Sequence, residues 1–112
     1  MTELENVKFE SFTVEHSSYE VERGSLTQIK FLGKLDKGRL KGYKLILYIT
    51  EPDGNEEIST SWPKDSGEFE LTYGLSIDSP LGTYSVIAKY LDGTPYIVQS
   101  GSVTFEVKEK QS

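Results

Sequence analysis

The sequence predicts an all-β protein, an antiparallel β-sandwich of seven to eight short strands. Apolar and polar residues alternate at a period of two in most segments, as they do when one face of a strand is buried. Turn residues recur at intervals of roughly eight to twelve residues, which is typical of sandwiches. No segment shows the helical apolar period of about 3.6 residues.

The size and charge of the chain exclude several classes of function. Its 112 residues suit one domain, 1–112, with an ordered core at about 7–108. No cysteine is present, which excludes disulfides, thiolate metal sites and thiol nucleophiles. The net charge of -6 disfavours nucleic acid and anionic membrane surfaces, because both require a basic face. We expect neither partner.

Two further features concern targeting. Residues 1–6 are polar and acidic and do not resemble a secretory signal peptide. No apolar run is as long as a membrane-spanning helix. We therefore expect no membrane insertion.

The N-terminal part predicts two strands, each with an irregularity. In the first, residues 7–15, the apolar positions change phase. A β-bulge near Glu10–Ser11 would reconcile them, and so would a strand that passes from one sheet to the other. A short apolar pair, Tyr19 and Val21, precedes the second main strand, residues 26–35. Its apolar face contains Gly33, which indicates a bulge or a close backbone approach.

The middle of the chain contains the strongest strand, residues 43–50, in which both faces carry apolar side chains. It follows a charged loop, 37–42, for which exposure to solvent is favoured over contact with an acidic partner. The segment Glu51–Asn55 has turn chemistry. Ile58, Thr60 and Trp62 then alternate in a short strand that ends at Pro63, and residues 69–77 form the next.

The stretch Pro80–Tyr90 predicts the central strand of the sandwich. A turn at Pro80–Gly82 followed by Tyr84 is how a tyrosine corner looks: the ring enters the core and the hydroxyl bonds backbone at the preceding corner. After a hairpin turn at Asp92–Pro95 the chain returns, with an interruption at Gln99–Ser102.

The inward-facing apolar residues of these strands predict the core. Its members are Phe9, Ile29, Phe31, Leu45, Leu47, Ile49, Phe69, Leu71, Tyr84, Val86, Ala88, Val103 and Phe105.

A series of turn and strand motifs covers nearly the whole chain: Tyr19-x-Val21-x-Arg23-Gly24, Ile29–Gly33, Leu45–Gly54, Gly67-Glu68-Phe69, Pro80–Val86 and Val103–Val107. Their order resembles the immunoglobulin-like β-sandwich domains of bacterial and archaeal surface proteins, and is similar to the macroglobulin-type domain. The resemblance implies an immunoglobulin-like fold and a role as a spacer, adhesion module or assembly unit. The paired cysteines of antibody-type domains are missing.

The residues that could carry chemistry favour neither an enzyme nor a metal site. His16 is the single histidine and Gly-x-Ser-x-Gly is absent, so no nucleophile and base pair is indicated. Oxygen ligands at Asp53–Glu57 could hold calcium, but their spacing fits no EF-hand and is ordinary turn chemistry. We expect no catalytic residue, no metal and no cofactor.

These observations favour a non-catalytic structural or adhesive module of a cell-surface or extracellular protein, whose partners are proteins or neighbouring domains. Its candidate contact surface comprises Ile46, Tyr48, Ile87 and Leu91, unless these residues are simply core. Edge-strand self-association, through the first strand or the interrupted return strand, is also expected.

Two other function classes remain open. A carbohydrate-binding module would use Trp62 and exposed tyrosines as a stacking platform, although the interpretation that Trp62 simply covers the core at a sheet edge is favoured. An enzyme would need two carboxyl groups that face each other across a cleft.

Overall fold

A computed structural model describes residues 7–37, 43–91 and 97–110, and within these ranges the chain is all β. The strands there are β1 (Phe9–Val14), β2 (Ser18–Val21), β3 (Thr27–Leu35), β4 (Lys44–Thr50), β5 (Glu56–Ser61), β6 (Glu68–Leu75), β7 (Gly82–Leu91), β8 (Ile97–Gln99) and β9 (Val103–Glu109). The predicted turn at Asp92–Pro95 and most of the predicted loop 37–42 lie outside the described residues.

The strands form two sheets, which confirms the predicted sandwich. The smaller sheet has the order β1-β3-β6, and the larger one β2-β9-β7-β4-β5, with β8 also paired to β7. Neighbouring strands are antiparallel except β2 and β9, which run parallel. Strand β7 lies in the middle of the larger sheet, as its sequence predicts. The count exceeds the predicted seven to eight because the return strand divides into β8 and β9.

Strand β1 contains the predicted bulge. Phe9 lies opposite Leu35 and Ser11 lies opposite Lys34, so Glu10 is an extra residue. The insertion restores the phase of the strand, and the ring of Phe12 stacks on the ring of Phe31 at 6.1 Å between centroids. The chain also changes sheets, since β1 belongs to the smaller sheet and β2 to the larger one.

Gly33 of β3 lies under an aromatic ring. It pairs with Phe69 of β6, and a Cβ at position 33 would collide with the Phe69 ring. The prediction of a bulge or a close backbone approach is therefore wrong: it is the Phe69 side chain that lies close to Gly33. A glycine covered by a cross-strand aromatic ring keeps the sheet packed where a side chain is missing.

The core lies between the two sheets. The predicted core residues are buried except Phe9 and Val103, which pack against the core from a bulged edge strand and from the first position of β9 and are only partly buried. The core cluster contains seven further buried residues that the sequence did not predict: Val7, Tyr19, Val21, Leu35, Leu75, Tyr90 and Val107.

The interruption between β8 and β9 is hydrogen-bonded through a side chain. The Ser100 N–H donates to the Ala88 carbonyl, and the Ala88 N–H donates to the Ser100 hydroxyl, both at 2.9 Å. The serine thus takes the place of a backbone acceptor next to β7, which leaves no unpaired donor at Ala88.

Candidate interaction surface

The four residues of the predicted contact surface lie on one face of two neighbouring strands. Strand β4 pairs with β7, which places Tyr48 opposite Ile87 and Ile46 opposite Lys89. Leu91 lies opposite Lys44, at the end of the same face. These side chains point away from the core, because the alternate residues Leu45, Leu47 and Ile49 are fully buried between the sheets.

Burial of these four residues is unequal. Ile46 retains only 9% of its surface, whereas Tyr48, Ile87 and Leu91 are half-buried. Strands β5 and β7 flank β4 on both sides, so the side chains of neighbouring strands cover Ile46. The face is therefore closely packed at its centre and open to solvent around it.

Two exposed isoleucines extend this face and were missed by sequence reasoning. Ile58 of β5 lies opposite Tyr48 and is 60% exposed; Ile97 of β8 lies opposite Leu91 and is 49% exposed. Counting pairs back from the Glu51–Asn55 turn would have placed Ile58 beside Tyr48. We call the set of six residues the outer patch: Ile46, Tyr48, Ile58, Ile87, Leu91 and Ile97.

Trp62 follows the end of β5 at the border of the outer patch. Its exposure continues the alternation of the strand: Ile58, Thr60 and Trp62 are exposed, whereas Pro63 is buried. Trp62 is 53% exposed, so it does not serve mainly to cover the core.

The charges within the patch are positive, although the whole chain is acidic. The Lys89 ammonium lies 4.5 Å from the centroid of the Tyr48 ring, a cation–π contact. Lys44 is exposed on the same face. From Ile58 to Ile97 the patch crosses four strands, or about 14 Å, and it extends about 13 Å along them.

The predicted tyrosine corner is present. Tyr84 is fully buried, and its hydroxyl donates a hydrogen bond of 2.7 Å to the Pro80 carbonyl. Its ring stacks on Phe105 with 5.0 Å between centroids. Burial, and secondarily the charge of Glu51, raises the pKa of Tyr84 to about 12.

The tyrosines do not form the exposed platform that sugar binding was expected to use. In the described parts of the chain three of them are buried, Tyr19, Tyr84 and Tyr90, and three are partly buried, Tyr43, Tyr48 and Tyr73. Two of the buried rings have bonded hydroxyls: that of Tyr84 donates to the Pro80 carbonyl, and that of Tyr19 accepts from the His16 N–H at 3.0 Å. The expectation of exposed tyrosines is therefore wrong for these six, and Tyr96 lies outside the described residues.

The acidic segment after β4 is built as a turn. One Asp53 carboxylate oxygen accepts the Asn55 backbone N–H and the other its side-chain amide, each at 3.0 Å. Gly54 has a φ of 92°, which favours glycine. Burial, and then the charges of Asp53 and Glu57, raise the pKa of Glu51. In residues 7–37, 43–91 and 97–110 no group of three or more acidic, His or Cys side chains could hold a metal ion.

His16 lies at the surface between β1 and β2. Its Nε2 is 3.5 Å from a Glu15 carboxylate oxygen, and its ring meets the edge of the Tyr19 ring. These contacts fit an exposed loop histidine, as the sequence favoured.

A shallow groove of about 360 Å³ lies on the outer face of the smaller sheet. Charged side chains surround it, among them Lys34, Lys64, Glu68 and Glu70. Its lining contains neither tyrosine nor tryptophan, and Trp62 belongs to the other sheet's border. The groove therefore does not supply the concave aromatic site that the carbohydrate hypothesis requires. Among the residues described, no helix is long and apolar enough to cross a membrane.

Comparison with known proteins identifies a fold and not a family. No protein-family model and no curated protein sequence matches the chain. The C-terminal domain of Wzt superposes with a TM-score of 0.62 at 13% identity, covering 94% of this chain and 75% of that one. The CARDB domain of a Pyrococcus furiosus protein, in complex with di-metal ions, gives 0.49 at 17% identity, covering 92% and 97%.

A third similar structure is the Pseudomonas fluorescens alkylpurine DNA glycosylase AlkC bound to DNA with an abasic site analog. It gives a TM-score of 0.49 at 13% identity and covers 91% of this chain and 30% of that one. Of these three structures, the Wzt domain has a TM-score above 0.5, and at 13% identity it shows the fold alone. The chain is an immunoglobulin-like β-sandwich. No family match supports the macroglobulin-type likeness.

Proposed function

We propose that this chain is a non-catalytic interaction module of a cell-surface or extracellular protein, and that it contacts a protein partner or a neighbouring domain through the outer patch. The observation that carries the proposal is the apolar outer face of the larger sheet, where Ile58, Tyr48 and Ile87 lie side by side across three strands.

Such a face is unusual for a sheet that only covers a core. Antiparallel sheets in sandwiches commonly bury one face and expose a polar one. Here both faces of β4 carry large apolar side chains, and Ile58 and Ile97 leave 60% and 49% of their surface in water. An exposed apolar area with a polar border is typical of an interaction site.

The size of the patch suits the centre of a modest interface. Its sheet area is about 200 Å², against about 800 Å² per partner in a standard interface. Half-buried Tyr48, and Trp62 at the border of the patch, are of the residue types that dominate binding energy near the centre of interfaces. Thr60 and Lys44 would then belong to its polar surroundings, whereas Lys89 lies within the patch opposite Ile46.

A carbohydrate ligand is the second candidate, and one observation favours it. Trp62 is 53% exposed beside the patch, so one of its faces can stack on the apolar face of a sugar ring. The partial burial of the described tyrosines weakens this candidate, and Trp62 lies four positions along the chain from Ile58, the residue opposite Tyr48.

Site-specific photo-crosslinking in the source cells tests the proposal. A photoreactive residue at Thr60, on the outer patch side of β5, should capture a protein, whereas one at Thr13, on the outer face of the smaller sheet, should not. The double substitution Ile58→Ser and Ile87→Ser should abolish capture and leave the circular dichroism spectrum unchanged. Equal capture from both positions, or none from Thr60, would contradict the proposal.

The single tryptophan provides the test for the second candidate. Trp62 is the only one in the sequence, so its fluorescence reports on the border of the patch without interference. A concentration-dependent blue shift on titration with surface polysaccharides, lost in Ile87→Ser, would favour a carbohydrate ligand. An unchanged spectrum, together with capture from Thr60, would favour the protein partner.

A further inference from the structure

The edges of the two sheets are unequally protected against pairing with another strand. In the described chain the edge strands are β1 and β6 of the smaller sheet and β2, β5 and the three-residue β8 of the larger one. Strand β1 is bulged at Glu10, β2 has four residues, and β5 is followed by Pro63. Bulges, short length and proline all hinder pairing at an edge. Strand β6 has none of these, because its eight residues keep one register against β3.

Hydrogen-bond directions in β6 identify the groups at its open side. The Leu35 N–H donates to the Gly67 carbonyl at 2.8 Å, which sets the alternation of the β3–β6 pair. Residues 69, 71, 73 and 75 therefore direct their backbone groups towards β3, and Glu70, Thr72 and Gly74 direct theirs outward. The preceding outward residue, Glu68, accepts the Lys64 N–H at 2.8 Å.

The outward groups of Glu70, Thr72 and Gly74 have no backbone hydrogen-bond partner among the described residues. A charged side chain on an edge strand can hinder pairing with another strand. The negative charge of Glu70 is compensated here, because the Lys30 ammonium lies 3.1 Å from its carboxylate. The middle of β6 therefore offers a regular edge, on which the positive charge of Lys30 compensates the negative charge of Glu70.

We propose that this edge binds the same edge of a second copy of the chain. The two β6 strands run antiparallel with Thr72 on the twofold axis, so that the two small sheets form one continuous six-stranded sheet. In this register Glu70 lies opposite Gly74 of the second copy, and Thr72 lies opposite Thr72. On the inward face Leu71 lies opposite Tyr73 of the second copy.

The charges select this register. A pairing centred on Glu70 would place the two Glu70 carboxylates directly opposite each other, which is destabilising. A pairing centred on Gly74 would run past the end of β6 at Leu75 into the turn closed by the Ser79 N–H and the Ser76 carbonyl. The Thr72-centred register keeps both carboxylates opposite glycine and forms a Thr–Thr pair, which is a favourable cross-strand combination.

This inference concerns the smaller sheet and goes beyond the proposed function, which uses the larger sheet. The dimer requires no other partner, so the purified protein is sufficient to test it. Each of two copies carries a net charge of -6, and the association should therefore strengthen as salt screens their repulsion.

Opposite substitutions at Gly74 test the pairing. A Cβ at Gly74 meets nothing within 4 Å, and its φ is not positive, so the monomer accepts a side chain. Gly74→Lys creates two Lys–Glu70 pairs across the twofold axis, whereas Gly74→Glu creates two like-charge pairs. One cross-strand charge pair changes the affinity by a factor of about 1.4 to 5, and the twofold axis makes two such pairs, so the factor is squared. Gly74→Lys should therefore tighten the dimer about 2- to 30-fold, and Gly74→Glu should weaken it by a similar factor.

Analytical ultracentrifugation over a dilution series measures these dissociation constants. Gly101→Lys and Gly101→Glu are the controls, because Gly101 is also free of neighbours within 4 Å but lies outside β6. These controls change the net charge by the same amounts as the Gly74 variants. Their dissociation constants should differ much less from that of the unmodified protein. A monomer at all concentrations, or equal shifts at Gly74 and Gly101, overturns the proposal.

A single cysteine checks the register independently. The sequence contains none, so in Thr72→Cys a disulfide can form only between two copies. Hydrogen-bonded antiparallel pairs have Cα atoms about 5.5 Å apart, within the range that a disulfide spans. Thr72→Cys should therefore cross-link rapidly in a thiol redox buffer, and Glu70→Cys, four positions from its counterpart, should not. Equal cross-linking of both variants overturns the register.

Discussion

Tyr84→Phe removes one hydroxyl from the centre of the fold and tests the corner directly. The ring would stay in place, since it is fully buried and stacked on Phe105. The 2.7 Å hydrogen bond to the Pro80 carbonyl would be lost. This bond connects the start of β7 to the turn that precedes it.

The expected loss in the free energy of unfolding is about 1–2 kcal/mol, since a carbonyl that loses its donor costs about 1–3 kcal/mol. The lower half of that range applies because Pro80 is only partly buried, so that water can reach its carbonyl in the variant. An unfolding entropy of about 2.1 cal/mol/K per residue gives about 0.24 kcal/mol/K for the chain. The melting temperature should therefore fall by about 4–8 °C.

Urea and thermal unfolding, followed by circular dichroism, measure both quantities. Tyr48→Phe is the matched control: its hydroxyl is removed on the opposite face of the sheet, where no corner bond exists, and the expected loss is below about 0.5 kcal/mol. Equal losses in the two variants, or no loss in Tyr84→Phe, would refute the corner as a stabilising feature.

Three further outcomes follow from the packing. Gly33→Ala should destabilise the fold by about 1–3 kcal/mol in urea melts, because the new Cβ collides with the Phe69 ring. Ser100→Ala should cost about 1–3 kcal/mol by the same measurement, because the buried Ala88 N–H loses its acceptor. In an alkaline titration, stability should decrease as pH rises from about 10 to about 12. The unfolded state ionises its tyrosines first, whereas Tyr84 has its pKa raised to about 12 by burial.

Each of these has a control. Gly74→Ala, where a Cβ meets open space, should be neutral or slightly stabilising. Ser102→Ala removes an exposed hydroxyl pair with Ser85 and should change stability by less than about 0.5 kcal/mol. Tyr84→Phe should reduce the alkaline loss, and an unchanged pH profile in that variant would contradict the assignment to Tyr84.

Local signals in the sequence determined the strands and the tyrosine corner. The alternation in Pro80–Tyr90 places Tyr84, Val86 and Ala88 on one face whatever the strand pairs with, because the period of two belongs to the backbone itself. The phase change near Glu10 likewise required a bulge or a strand that passes from one sheet to the other. The bulge is present, and β1 stays within the smaller sheet. Turn chemistry at Asp53–Asn55 was equally local.

Only the tertiary structure decided which strands became neighbours and therefore which surfaces exist. Ile58 and Ile97 join the outer patch because β5 and β8 pair on either side of β4 and β7, and register is not visible in a single strand. The return strand was expected to offer an edge: its second part, β9, lies between β7 and β2, whereas its first part, β8, pairs with β7 alone among the described strands.

Strand β6 provides a regular open edge, although its own sequence gives no sign of it. An edge is a property of the whole sheet: a strand has one only where no other strand pairs with it. Strand periodicity fixes which side chains face the core, whereas the contacts that cover or expose a strand depend on residues distant in the chain.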